Sequence, residues 1–345
     1  MYARDASLLA VPFDLNALEV TGTPVPVLEG VATFPSTGAA LFAISSNGSL
    51  LYAPGGPLGS DRRVLLVDRE GGSQPLIETP RMYGELTLSP DGSSLAMNID
   101  GANMNLWVYD ISRGTLTRLT SRFDNSSPVW APEGDRLAHA SGRDLPHHLY
   151  LIGLGGSGES EWLTTSDYRQ SPSSWSSDGR FLAYQQNRDI WVLSLEGERE
   201  SEPFLQTEFR ERRPVFSPNS RWLAYESDES ERNEVYVRAF PGPGRRWQVS
   251  TGGGTNPRWN ANGDELFYRD ADKMMVVEVS SDGDLRLGNS RLLFERESAG
   301  GGYDVMPDGQ SFVMVDKSEA APMPTQMILV QNWAEELRRL VPTGN

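Results

Sequence analysis

Short apolar runs, separated by clusters of turn-forming residues, recur in a fixed order along this chain. One unit of that order is clearest between Arg213 and Ser250. The run Pro214 to Ser217 leads into the turn Pro218-Asn219-Ser220, where proline presets φ and asparagine tolerates the left-handed region. A second run with large side chains follows, Trp222 to Glu226, and then a polar loop from Asp228 to Asn233. Val235 to Phe240 alternates as a half-buried strand does. Pro241 to Gly244 reads as a turn, and Trp247 to Ser250 completes the unit. The pattern predicts four short strands joined by turns.

The turn phrase occurs seven times: SSNGSLLYA at Ser45, SPDGSSLAM at Ser89, APEGDRLAH at Ala131, SSDGRFLAY at Ser176, SPNSRWLAY at Ser217, NANGDELFY at Asn260 and MPDGQSFVM at Met306. The turn residues Gly48, Gly92, Gly134, Gly179, Ser220, Gly263 and Gly309 lie 44, 42, 45, 41, 43 and 46 positions apart. A period in the low forties with four strands per repeat predicts an all-β fold, a β-propeller of four-stranded antiparallel blades. Seven blades fit the phrase count best, within a range of six to eight. The ring is expected to close by pairing N- and C-terminal strands. A single propeller domain over 1–345 then divides into a partial or closing blade at 1–38 and blades at 39–80, 81–122, 123–166, 167–209, 210–252 and 253–297. A last blade with a short helix near Ala334 to Leu340 occupies 298–345. Tyr2 to Asp14 aligns with Tyr268 to Val279, so the chain opens like the outer half of a blade.

Aromatic residues recur at blade period. Trp130, Trp175, Phe216 and Trp259 fall on first strands, and Trp107, Tyr150, Trp191 and Tyr236 on third strands. Such repetition points to packing between neighbouring blades, not to a ligand.

Composition narrows the function classes. The net charge of −16 argues against nucleic acid as a partner, because such proteins present a basic face. No apolar run approaches the roughly 18 residues that a membrane helix needs, so this segment is not expected to insert. No signal-peptide pattern opens the sequence. Cysteine is absent, which removes disulfides, thiolate catalysis and cysteine-ligated metals. Glycine (34) and proline (23) are abundant, as many short turns require.

Motifs that could carry chemistry have plainer readings here. Gly153-Leu-Gly155-Gly-Ser-Gly158 matches G-x-G-x-x-G, but it sits between two strands, where a dinucleotide site needs a strand and then a helix. His147 and His148 are adjacent on extended chain and point apart, and His139 lies within a second strand. No G-x-S-x-G elbow accompanies them. Asp282-Gly283-Asp284 supplies too few oxygen ligands for a calcium loop and reads as a turn. Neither a cofactor nor a metal is expected, and no catalytic residue is assigned. The rival expectation is an enzyme of lyase or lactonase type at the channel mouth, which would need histidines and carboxylates from several blades.

The connections from each fourth strand to the next first strand gather on one face of a propeller. They read SRFDNSSP from Ser121, TSDYRQSP from Thr165, TEFRERRP from Thr207 and TGGGTNP from Thr251. Three of them combine an aromatic with arginine, a pairing that supplies rigid contact area and fixed donors. The candidate contacts are Arg122, Phe123, Asp124, Tyr168, Arg169, Phe209, Arg210, Arg212 and Asn256, for a protein or small ligand at the rim. The alternative is that these arginines pair with Asp124, Asp167 or Glu211 and only cap their loops.

The phrase S-P-D-G-x-x-L-A at Ser89 to Ala96, followed by Leu106 to Asp110 and Leu119-Thr120, resembles the PD40 repeat of TolB-like periplasmic proteins and of bacterial peptidase propellers. The likeness covers Ala40 to about Asp316. Three further stretches, from Leu8, from Val235 and from Asn332, look like the C-terminal propeller region of bacterial membrane-anchored serine/threonine kinases. That likeness implies sensing or scaffolding outside the cytoplasmic membrane, with a kinase domain upstream. The sequence itself has no Val-Ala-Ile-Lys lysine, His-Arg-Asp loop or Asp-Phe-Gly, so phosphoryl transfer is not expected from it.

Overall fold

The computed structural model describes residues 1–4, 6–34, 39–56, 58, 62–101, 103–155, 160–242, 244–280, 283–297, 302–317 and 324–341. Two compact units emerge, one of 62–99 with 103–317 and the other of 1–61, 100–102 and 318–345.

Among the described residues the larger unit consists of six antiparallel sheets of four strands, the last with one extra short strand. The second blade runs Tyr83–Leu88, Ser94–Ile99, Asn105–Asp110 and Thr115–Arg118, from the innermost strand outward. The third runs Asn125–Trp130, Arg136–Ser141, His148–Gly153 and Ser160–Trp162. The fourth is Gln170–Trp175, Phe181–Gln186, Asp189–Ser194 and Ser201–Leu205. The fifth is Glu211–Phe216, Trp222–Ser227, Glu234–Ala239 and Arg246–Gln248. The sixth is Thr255–Trp259, Glu265–Asp270 and Lys273–Ser280, with Arg291–Glu295 and Arg286–Leu287 both on its third strand. The remaining blade closes the ring, since late strands Tyr303–Val305 and Ser311–Lys317 are extended by early strands Arg62–Asp68 and Ser73–Arg81. Its central ladder is unbroken from Arg62↔Lys317 to Asp68↔Ser311. Successive innermost strands touch one another all the way round, and Tyr303–Val305 touches Tyr83–Leu88.

The propeller architecture is therefore present, with six sheets of this kind among the described residues of the larger unit. The first turn phrase, at Ser45, joins Phe42–Ile44 to Leu50–Tyr52, and Leu50–Tyr52 pairs on its other edge with Ile328–Val330 in the smaller unit. Within the segment 39–80, the strands Arg62–Asp68 and Ser73–Arg81 belong to the sheet begun at Tyr303. In the smaller unit Tyr2–Arg4, Ser7–Ala10 and Val25–Glu29 form a separate three-stranded sheet. The C-terminal helix spans Trp333–Leu340, and Trp333 packs with Leu8, Val27, Val31 and Leu50. Gly48 is needed at φ +83°, where a Cβ would also lie 2.8 Å from the Cβ of Ala334.

The repeated phrase has a local physical cause. In the second blade Ser89 Oγ donates to Asp91 Oδ1 (2.6 Å) and accepts from Ser94 N–H (2.9 Å). The same clasp recurs as Ser176 with Asp178 and Phe181, and as Ser217 with Asn219 and Trp222. Between blades, Trp130 Nε1 donates to Thr87 O (3.1 Å) and Trp259 Nε1 to Val215 O (3.2 Å). Phe240 gathers the edges of Phe181 and Phe216 at 5.2 and 4.9 Å between the fourth and fifth blades.

Candidate functional site at the propeller axis

The innermost strands are not regular. The pairing register shifts between Tyr83 and Leu86, Ser126 and Val129, Pro172 and Ser174, Arg212 and Val215, and Thr255 and Arg258. Such bulges bend a strand and re-aim its side chains. Three bulge residues, Ser127, Arg213 and Asn256, take φ of 53°, 50° and 54°, and each stands four positions before its blade's turn phrase. Non-glycine residues seldom adopt this region, and they cluster where surrounding contacts enforce it.

Those contacts are visible at Asn256. Its N–H donates to Glu226 Oε1 (2.7 Å), and its carbonyl accepts from Tyr303 Oη (2.8 Å). Tyr303 is fully enclosed, and burial raises its phenol far above the ordinary value, so it stays a donor. Glu226 has no exposed surface, and the same Oε1 accepts from Arg213 Nη1 (3.1 Å). Arg212 approaches the other oxygen at 3.6 Å and donates to Asn233 Oδ1 at 2.8 Å. One buried carboxylate thus fixes two adjacent arginines and one left-handed residue.

Around the axis lies a cavity of about 780 Å³, lined by all six innermost strands. Its lining runs from the bulges to the repeated turns at Pro90, Pro132, Ser177, Pro218 and Ala261. Arg212, Arg213 and Arg258 line it together with Ser127, Ser171 and Ser173, and Trp175 adds an aromatic surface. Glu85 and Asp304 are its acidic groups. Asp304 accepts from Leu88 N–H (2.8 Å) and Thr87 Oγ1 (3.2 Å) and stands 3.6 Å from Arg258 Nε. Among the described residues no group of three or more histidines and carboxylates is arranged to hold a metal.

Of the residues singled out at the rim, Arg212 and Asn256 line this cavity; Arg122, Phe123, Asp124, Tyr168, Arg169, Phe209 and Arg210 do not. Phe123 is 39% and Tyr168 55% exposed, and Arg122, Arg169 and Arg210 are exposed with no ion pair to a described carboxylate. The capping alternative therefore fails for the guanidinium groups. Asp124 accepts instead from Met104 N–H (3.0 Å), and Glu211 accepts from Thr207 Oγ1. Burial holds the Glu211 carboxyl above its ordinary value. Phe209 N–H donates to Thr207 Oγ1 and Arg210 N–H to Asp228 Oδ1, so backbone bonds shape that loop. Burial first, and then the charge of Arg169, lowers the pKa of His147 against the pull of Asp124. Arg143 stacks over Phe123 and Tyr150 at 5.6 and 5.4 Å.

The other motifs take structural places. His139 is fully enclosed near Ser160 Oγ and Ala140 O, and burial lowers its pKa to about 4, so it is neutral. His148 Nε2 lies 2.9 Å from Ser166 O. Gly153 ends one strand of an antiparallel pair, and residues 156–159 of the glycine-rich stretch lie outside the described residues. Asp282 does too, between strands that pair at Ser280↔Arg286.

Comparison with known proteins agrees with this architecture. The family model of the TolB beta propeller domain, PD40, matches residues 61–260, well over half of the chain. The chain belongs to that family. A TolB-assigned protein of Agrobacterium tumefaciens superposes with a TM-score of 0.63 at 19% identity, over 76% of this chain and 100% of that one. An oligogalacturonate lyase solved with manganese gives 0.51 at 17% identity, over 84% of this chain and 81% of that one. The Swd1 propeller of Myceliophthora thermophila gives 0.50 at 12% identity, over 71% and 91%. At these identities the likeness is one of fold. The TolB-like assignment fits a binding or scaffold propeller.

Proposed function

We propose that this TolB-like propeller is a non-catalytic binding module that holds a protein or small ligand in its axial cavity. Exposed rim residues such as Tyr168 and Arg169 would serve as a second contact surface. The observation that carries this reading is the cavity itself: about 780 Å³, reached by residues from every blade, with arginines set by a buried carboxylate. A preorganised polar cavity of this size suits recognition, because its groups need little reordering on binding. In keeping with the sequence resemblance, the biological role would be sensing or scaffolding outside the cytoplasmic membrane, as part of a bacterial serine/threonine kinase or a TolB-like envelope protein.

A photoreactive benzophenone amino acid placed at Ser173 in the cavity, and separately at Tyr168 on the rim, tests the assignment in the native cell. An adduct from the Ser173 position, resolved by intact mass, is the expected result. Adducts from the Tyr168 position alone would move the site to the rim, and adducts from neither would remove the binding reading.

A further inference from the structure

The arginines of the axial cavity define what kind of ligand group it accepts. Arg212 and Arg213 come from one innermost strand and Arg258 from the next in the ring. Their side chains are 25%, 42% and 23% exposed, so each keeps surface free to meet a ligand. A guanidinium carries five N–H donors. Arg213 commits Nη1 to Glu226 and Arg212 commits Nη2 to Asn233, while Arg212 Nε is buried and unpartnered among the described residues. Two guanidinium groups share the single carboxylate of Glu226, which leaves one positive charge over at this end of the cavity. Arg258 is balanced by Asp304, and Glu85 stands on the innermost strand across the ring. The local excess is positive in a chain whose net charge is −16.

Resting on the binding reading above, we infer that Arg212, Arg213 and Arg258 form an anion subsite. It takes the carboxylate or phosphate of a hydroxyl-bearing small molecule. Planar guanidinium forks match both oxyanions with paired hydrogen bonds, and here they are fixed before the ligand arrives. The hydroxyls of Ser171, Ser173 and Ser177 and the amides of Gln185 and Asn260 line the rest of the cavity. Ser171 and Ser177 are paired with Ser127 and Ser220, Gln185 with Asn187 O and Asn260 with Asp264, and the hydrogen-bonding capacity that remains on the hydroxyls suits sugar hydroxyls. Glu226 acts as a positioning residue: it meets the arginines and Asn256, not the ligand.

Calorimetric titration of the full chain with glucuronate, glucose 6-phosphate and glucose separates the possibilities. Binding of at least one anionic sugar, weakened at least tenfold in Arg213→Gln and only partly in Arg213→Lys, is the expected result, with glucose at least tenfold weaker. Preference between glucuronate and glucose 6-phosphate tells a carboxylate site from a phosphate site. Failure of both anions to bind overturns the inference, as does equal affinity in Arg213→Gln with its melting temperature unchanged. Glucose binding as tightly as the anions would overturn it while leaving the cavity's binding role standing.

Discussion

Asp91 and Asp178 show how one residue of the repeated phrase serves the whole fold. Each carboxylate accepts from a serine hydroxyl and from a backbone N–H, and the serine hydroxyl in turn accepts from the start of the next strand. Hydrogen bonds led by the serine hydroxyl hold both carboxyls below the ordinary value of 3.8. A carboxyl lowered on folding stabilises the fold above its unfolded pKa, and that contribution is lost as pH falls through the folded value. Stability should therefore decline on acidification below about pH 4. Asn219 makes the same clasp without a titrating group, accepting from Ser217 Oγ and from Arg221 N–H. The double variant Asp91→Asn with Asp178→Asn should keep its melting temperature at pH 7 and lose part of the acid slope, measured by denaturant unfolding across pH. Glu226 makes the opposite case, a residue with no substitute. Glu226→Ala strands two arginines and the Asn256 N–H, and should cost about 3 kcal/mol in urea unfolding, the lower end for a broken buried pair because Arg213 is half in solvent.

At the level of strands and blades, the interface indoles separate into two kinds. Trp130 and Trp259 each donate Nε1 to the neighbouring innermost strand, while Trp175 Nε1 has no partner among the described residues. Across that same interface Ser171 Oγ donates to Ser127 Oγ (2.9 Å), while on the other side of the blade Ser174 donates to Pro214 O (3.0 Å) and accepts from Phe216 N–H (3.0 Å). Trp130→Phe should therefore destabilise more than Trp175→Phe, by about 1 kcal/mol, the worth of one hydrogen bond; equal losses in thermal unfolding would refute the distinction. The sequence carried the blade template well, because proline, asparagine and glycine at turns and alternation in strands are local signals. It did not carry the bulges, which arise from pairing register. Arg213 and Arg258 carry no local signal for that reason, though the bulge positions Ser127, Arg213 and Asn256 stand a constant four residues before the turn. The rim loops stand out by composition alone, and of their arginines Arg122, Arg169 and Arg210 lie off the cavity while Arg212 and Arg213 line it. A hairpin phrase such as that at Ser45 identifies two paired strands and not the sheet they join.

For the larger unit as a whole, closure is the step on which everything else depends. An open ring would leave Arg62–Asp68 with an unpaired edge where Ser311–Lys317 now lies, and exposed edges invite wrong pairing. Two further ties cross from the sixth blade to the closing one. Arg69 forks onto Glu265 at 2.6 and 2.8 Å, and Arg296 reaches Asp316 at 2.5 Å and Ser73 Oγ at 2.7 Å. Both pairs are largely shielded from solvent, with side chains 15–22% exposed, so they should matter more than surface ion pairs do. In a ring, each blade interface is stable only if the last one forms, so losing the closing ladder should cost the cooperativity of the unit and not one blade. A fragment of residues 62–317 should then unfold in a single transition, with the same midpoint by tryptophan fluorescence and by circular dichroism. A fragment of 62–302, which lacks both late strands but keeps every other blade, should show a broad transition or aggregate. If the shorter fragment unfolded as sharply and at the same denaturant concentration, five stacked blades would suffice and the paired early and late strands would be ornament on a solenoid, with no ring to hold the cavity shut.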